Sequence, residues 1–278
     1  MRKFAAFILT HGRPDNVITF DKLRASGYTG TVYLIIDNED ETADRYRSKF
    51  GAENVIVFDK KAMADKIDEA NNFDNRKVIV HARNASFDIA EALGLTHFVQ
   101  LDDDYYFFGY RDKTGAKTIR NLDAAFDATC DFLDSSGATS IAWSQGGDHI
   151  GGFSSVQLKR KAMNSFFCRV DRRFTFVGAI NEDVNTYTCE GQRGKLFFTF
   201  TGLQLDQKDT QSQGGGMTDL YLQRGTYVKS FTTVLFCPAS VKVSMMSTKH
   251  ARMHHSIDWG STVPRIVPEC VKRQELGA

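Results

Sequence analysis

Four short apolar runs limit what the first 108 residues can become: Phe4–Leu9 (FAAFIL), Thr31–Ile36 (TVYLII), Val55–Phe58 (VIVF) and Phe98–Leu101 (FVQL). Short apolar runs bounded by polar turns read as strands covered on both faces. The intervals carry helical signals. Val17, Phe20 and Leu23 share a face between Val17 and Ala25, and Thr42 caps a helix to Phe50. A weaker helix spans Ala62 to Ala70. Ala85, Ile89 and Ala92-Leu93 form a stripe that Gly94 stops. Lys77–Val80 reads as a further short strand. This alternation predicts an α/β fold: a Rossmann-like, mostly parallel sheet with right-handed crossovers and helices on both faces.

The second half changes character. Helices are expected over Asn121–Leu133, from Ile180 to Glu190 and over Thr218–Arg224. Strands are expected at Ser140–Trp143, Ala162–Val170, Phe174–Val177, Leu196–Phe200, Val234–Phe236 and Val241–Met245. A polar loop, Asp206 to Gly216, carries three consecutive glycines. No linker forces a second domain, so 1–278 reads as one unit, with a first half, 1–108, and a second, 109–278.

Composition excludes several classes. At 278 residues, 42% hydrophobic and 25% charged, the chain can bury one substantial core. A net charge of +1 announces no polyanionic partner, although a local basic patch stays open. The five cysteines form no CxxC pair, which argues against a zinc ribbon and fits a reducing, cytoplasmic setting. Met1-Arg2-Lys3-Phe4 starts a strand rather than a signal peptide, and no apolar stretch is long enough for a membrane span.

Three of the first strands end in acid, at Asp37, Asp59 and Asp102, and the last continues as Asp102-Asp103-Asp104. Three adjacent carboxylates cannot all be buried unpaired. They sit in water or a cation gathers them. Ligands of open α/β sheets bind beyond the C-terminal ends of the strands, and carboxylate oxygens suit Mg²⁺ or Mn²⁺. Glu182-Asp183 is a second acidic pair at a helix start. There the helix dipole favours it, or it serves as a general base.

His81-Ala82-Arg83-Asn84, a helix, and then Phe98 to Asp104 resemble the nucleotide-binding half of the GT-A glycosyltransferases. Phe7-Ile8-Leu9-Thr10-His11-Gly12-Arg13-Pro14 is similar to that fold's first strand and loop. The resemblance covers residues 4–108 and implies a GT-A-like fold with a nucleotide-sugar-binding first half and an acceptor-side extension. It implies that Thr10, His11 and Arg13 line the nucleotide and that Asp37 meets uracil or ribose. Asp104 would ligate Mn²⁺ or Mg²⁺. Asp102 would touch ribose or sugar, or bind the metal through water, and Asp103 would do either. Arg13 and Arg83 would meet phosphate or orient carboxylates, unless they form structural ion pairs. Asp183 matches the base of inverting members, with Glu182 as its orienter.

Late in the chain, His250-Ala251-Arg252-Met253-His254-His255 is similar to tails that give such enzymes a metal-binding histidine, here His254 or His255, although imidazole is a softer ligand than this site needs. The overall pattern resembles the TET-associated glycosyltransferases. That implies transfer of a sugar, such as glucose from a UDP-sugar donor, to a hydroxymethylated pyrimidine in DNA, as phage members of the family are expected to do in the host cytoplasm. Lys159-Arg160-Lys161 and Arg169, Arg172 and Arg173, interleaved with Phe166, Phe167, Phe174 and Phe176, are a candidate nucleic-acid face or a solvated basic face over aromatic core. The competing readings are a GT-A enzyme with a glycan, lipopolysaccharide or protein acceptor, a nucleotidyltransferase, and an inactive binding module.

Overall fold

The structure is a computed structural model that describes residues 1–69, 76–145, 156–157, 165–207, 228–246 and 251–263. The first half is built as β1 (Phe4–Leu9), α1 (Ile18–Ala25), β2 (Thr31–Asp37), α2 (Ala43–Phe50), β3 (Val55–Phe58), α3 (Lys60–Ala64), α4 (Val80–Ala92) and β4 (His97–Asp102). Then follow β5 (Tyr105–Asp112), β6 (Gly115–Thr118), α5 (Leu122–Ser136), β7 (Ser140–Ser144), β8 (Val156–Gln157), β9 (Phe166–Arg169), α6 (Glu182–Gln192) and β10 (Phe197–Gln207). The last described elements are α7 (Val228–Phe236), β11 (Val241–Met246), β12 (Arg252–Ile257) and α8 (Trp259–Thr262).

A ten-stranded sheet runs in the order β3-β2-β1-β4-β9-β7-β10-β5-β6, with β8 beside β10. Strands β1 to β4 are all parallel. β9 is antiparallel to both β4 and β7, β10 returns parallel to β7, and β5 and β6 form an antiparallel hairpin at the edge. Most strands of the sheet therefore point the same way as β1. The chain leaves β1 for β2 on one side and reaches β4 on the other, so a crevice opens between the C-terminal ends of β1 and β4.

Alternation along β1 explains why both faces are covered. Ala5, Phe7 and Leu9 pack with Val80 and Phe87 of α4 and Val184 and Tyr187 of α6. Ala6 and Ile8 pack with Leu23 of α1, Tyr46 of α2 and Phe126 of α5. On the second face, Trp143 donates its indole N–H to Thr129 (3.1 Å), which satisfies the polar atom of a fully buried ring.

Three expected strands take other forms. Val80 opens α4, and residues 77–79 form its approach, because Val78 and Val80 turn into the core there. Phe174–Val177 is irregular: Asn84 Nδ2 donates to Phe176 O (2.9 Å) and Asn84 Oδ1 accepts from Phe176 N (2.8 Å), so a side-chain amide replaces a neighbouring strand. Val234–Phe236 ends helix α7. The edge hairpin β5–β6 was not anticipated. Gly214–Gly216, Thr218–Arg224, Lys159–Lys161 and His250 lie outside the described residues. Among the described residues no helix is long and apolar enough to cross a membrane.

Candidate active site

The register that pairs Leu9 with Asp102 sets the site. Thr10, the next residue, reaches across the crevice and donates to Asp103 Oδ2 (2.6 Å), while Arg13 Nε lies 3.2 Å from the same oxygen. The Tyr46 hydroxyl joins this knot: it is 2.9 Å from Thr10 Oγ1 and accepts from the Arg13 amide (2.9 Å). Burial pushes the Asp103 carboxyl up, opposed by Arg13 and Thr10. Asp103 is thus a buried anchor that fastens the β1 loop to the end of β4. Thr19 secures the turn from below, donating to Asp102 O (2.6 Å) and accepting from the Tyr105 amide (2.8 Å).

Asp102 and Asp104 flank that anchor and are only half-buried. Asp102 Oδ1 accepts from Arg83 Nη2 (3.2 Å), and Arg83 Nε donates to Glu182 Oε1 (3.0 Å). Arg83 is 1% exposed and rests against the rings of Phe166 and Phe176, 5.4 and 5.7 Å from their centroids. It comes from the first turn of α4, whose backbone is held by a hydrogen bond from Gln100 to Arg83 O (2.8 Å). Burial works against its charge, but Asp102 and Glu182 keep it protonated. One guanidinium therefore unites the triplet with the pair at the start of α6.

That start has a local cause. Asn181 adopts φ 56°, the one positive φ outside glycine among the described residues, and donates to Lys229 O (2.6 Å) and Thr233 Oγ1 (3.1 Å) of α7. The sharp turn aims both Glu182 and Asp183 inward, and both are buried. Burial raises the Glu182 carboxyl, and Arg83 restrains it. Asp183 accepts from the Val184 amide (2.8 Å) and has no ion pair among the described residues.

Negative charge is in surplus here. Burial pushes Asp102 up to about 7, with Asp104, Glu182 and Asp103 adding to the rise against Arg83. Carboxylates under such repulsion are the hard oxygen donors that Mg²⁺ or Mn²⁺ takes. Among the described residues no three His, Cys, Asp or Glu side chains form a metal-holding group, so a cation here would draw most of its ligands from phosphate and water. His254 is not brought into such a group with Asp102 and Asp104. It lies on β12, opposite Ser244 of β11, with its ring 4.2 Å from that of His255.

Asp37 ends β2 with both oxygens engaged. Oδ1 accepts from the Glu39 amide (3.0 Å), and Oδ2 meets His11 Nδ1 (2.8 Å) and Lys60 Nζ (3.1 Å). Sequence reasoning missed Lys60, Tyr46 and Thr19. Each lies in an ordinary helical or turn context, and no local pattern marks it.

The arginines singled out for nucleic acid lie elsewhere. Arg169 pairs with His97, at the opposite end of β4 from Asp102. It bridges Asp171 and Asp134, Arg172 caps the carbonyls of Leu133 and Ala138 (2.7 and 2.8 Å), and Arg173 pairs with Asp88 and Glu91. Phe166, Phe167, Phe174 and Phe176 are core residues. This cluster is structural cement, because acids and carbonyls already occupy its charges.

The family model of the TET-associated glycosyltransferases matches residues 4–216. No curated protein sequence matches the chain significantly. Solved structures match the chain at low identity and with TM-scores below 0.5. Glucosyl-3-phosphoglycerate synthase from Mycobacterium tuberculosis with Mg²⁺ and uridine diphosphate is 10% identical, covering 92% of this chain and 88% of that one at a TM-score of 0.48. The same enzyme with Mn²⁺ and UDP-glucose is 9% identical, covering 92% and 87% at 0.45. S. aureus TarS 1–349 is 14% identical, covering 82% and 65% at 0.42.

Proposed function

Because the chain belongs to the TET-associated glycosyltransferase family, we propose that it moves a sugar from a UDP-sugar to the hydroxymethyl group of a modified pyrimidine in DNA. The observation that carries the reading is the Arg83 bridge. It ties Asp102, of the cation-attracting triplet, and Glu182, the neighbour of the candidate base Asp183, to one buried charge.

Asp102 and Asp104 would hold Mg²⁺ or Mn²⁺, which neutralises charge building on the diphosphate leaving group. Thr10, His11 and Arg13 would line the nucleotide from the β1 loop, and Asp103 holds that loop in place. Glu182 is spent on Arg83, so the role of base falls to Asp183, which takes the proton of the acceptor hydroxyl as that oxygen attacks the anomeric carbon. A base facing the leaving group across the sugar gives inversion. A glucose donor and a location in the host cytoplasm follow from the same resemblance. The DNA acceptor finds its support in the family description, since the basic cluster around Arg169 lies at the far end of β4.

The test is a screen of sugar nucleotides with Mn²⁺ against DNA with and without 5-hydroxymethylpyrimidines, read by nucleoside mass spectrometry. Glycosylated nucleoside should form only on hydroxymethylated DNA. Transfer to a glycan or protein alone would replace the acceptor, and donor binding without any turnover would reduce the protein to a binding module.

A further inference from the structure

The hairpin β5–β6 leaves the candidate site directly, because Asp104 is followed by Tyr105, the first residue of β5. β10 flanks β5 on one side and β6 on the other, and the far side of β6 is an open edge among the described residues. The eight residues of β5 span about 27 Å, most of the roughly 34 Å turn of duplex DNA.

Charge along this ribbon is one-sided. Between Tyr105 and Arg120 the chain places Arg111, Lys113, Lys117 and Arg120 against a single acid, Asp112, although its overall net charge is only +1. Asp112 pairs with Lys117 (2.6 Å), and Arg111 donates to Gln204 Oε1 (3.2 Å). Asp206, on β10 opposite Phe107, accepts from Gln204 Nε2 (2.9 Å). Lys113, in the hairpin turn, and Arg120, just past β6, are exposed and have no ion pair among the described residues. The Arg169 cluster is the reverse case, with acids and carbonyls matched to its cations.

Two aromatic rings stand out from the same ribbon: Tyr106 is 47% exposed and Tyr110 is 42% exposed. Tyr110 faces Lys117 across the strands, with the ammonium 5.9 Å from its ring centroid. Tyr106 is the extra residue of a bulge, since Asp206 is opposite Phe107 and Gln207 is opposite Tyr105. A bulge re-aims a side chain, and this one turns a ring outward two residues after Asp104.

We propose that the β5–β6 ribbon is the surface on which the DNA acceptor docks, with Lys113 and Arg120 on its phosphates and Tyr106 against a base at the entrance to the site. The inference rests on the DNA-acceptor reading above and supplies the docking surface that the Arg169 cluster does not. A two-stranded ribbon fits the major groove, and unpaired cations along it gain affinity by releasing condensed counterions. An aromatic face stacks on any base, and a ring beside the triplet gives a base drawn out of its stack a surface to rest on.

The test is fluorescence anisotropy of the full chain with a short labelled duplex containing 5-hydroxymethylcytosine, across a salt series. Lys113→Ala combined with Arg120→Ala should weaken binding and make the slope of log K against log salt shallower by about 2, roughly one for each lost phosphate contact. UDP affinity should not change in this double variant, and in the transfer assay its loss should appear in KM for DNA. Tyr106→Ala should weaken DNA binding about tenfold at an unchanged slope. DNA binding that keeps its affinity and slope in both variants would overturn the inference and leave Lys113 and Lys117 as guards of an open sheet edge, while the acceptor reading stands. No DNA binding by the unaltered protein, with transfer confined to a glycan or protein, would overturn the acceptor reading itself and the docking surface with it.

Discussion

Arg83 Nε donates to Glu182 Oε1 across 3.0 Å, joining residues 99 positions apart inside the protein. Nη2 of the same guanidinium holds Asp102, so helix α4 locks the end of β4 to the start of α6. Removing one member of a buried charge pair leaves the others uncompensated and typically costs ~3–5 kcal/mol. Arg83→Met should lower stability by about that amount in urea unfolding. The double variant with Glu182→Gln should lose less than the sum of the two single changes, whereas additive losses would mean that the contact carries no coupling energy.

Asp183→Asn should leave donor affinity intact and slow transfer by roughly 10²–10⁴-fold, the span ordinarily supplied by a general base. Donor titration and the rate of glycosylated-nucleoside formation separate the two effects. A collapse in donor affinity would place Asp183 in the binding surface and remove it as the base.

Chelation by EDTA should abolish transfer, and Mn²⁺ or Mg²⁺ should restore it. Asp104→Ala should resist rescue by either ion and should weaken Mn²⁺ binding measured in the presence of UDP. Full activity of Asp104→Ala would assign the cation to other ligands.

At the far end of the sheet, Asp134 receives hydrogen bonds from Arg2 (2.7 Å) and His97 (2.8 Å) and one from Arg169. Burial opposes its ionisation, but these partners hold it at about 2, below the ordinary carboxylate value of 3.8. The unfolded chain therefore binds this proton first as the pH falls. The stabilisation is complete above about pH 4 and is lost as the pH drops through the folded value near 2. Asp134→Asn should lower the Tm at pH 7, and the gap from the unaltered protein should close toward pH 2. A gap that stays constant with pH would show that the carboxylate's charge is not what matters.

A Cβ on Gly191 of α6 would meet the carbonyl oxygen of Thr262 in α8 at 1.9 Å. Gly191→Ala should push these helices apart, loosening the stacked pair Tyr187–Trp259 at 5.8 Å, and cost ~1–3 kcal/mol. An unchanged Tm and unchanged Trp259 fluorescence would show that α8 yields freely.

The parallel strands of the first half were legible because each is a short apolar run that must be covered on both sides, and because polar turns and helical stripes separate them. The acidic ends of those strands, and the pair Glu182-Asp183, were legible because like charges in sequence demand an explanation wherever they fold. Short apolar runs in the second half were ambiguous. Val234–Phe236 closes helix α7 and Phe174–Val177 is held by the Asn84 side chain, and only partners distant in sequence choose between such states.

The tertiary structure decided the division of labour within the charged groups. Asp103 and Asp37 are absorbed by Thr10, Arg13, His11 and Lys60, whereas Asp102 and Glu182 share Arg83. It also sent Arg169, Arg172 and Arg173 to the end of the sheet opposite Asp102. Sequence alone determines where charges sit along each strand and helix, because alternation and apolar runs are local properties. Which charge meets which depends on strand order and register, and those are settled only when the whole sheet packs, since a buried charge is tolerated only where a distant partner arrives to meet it.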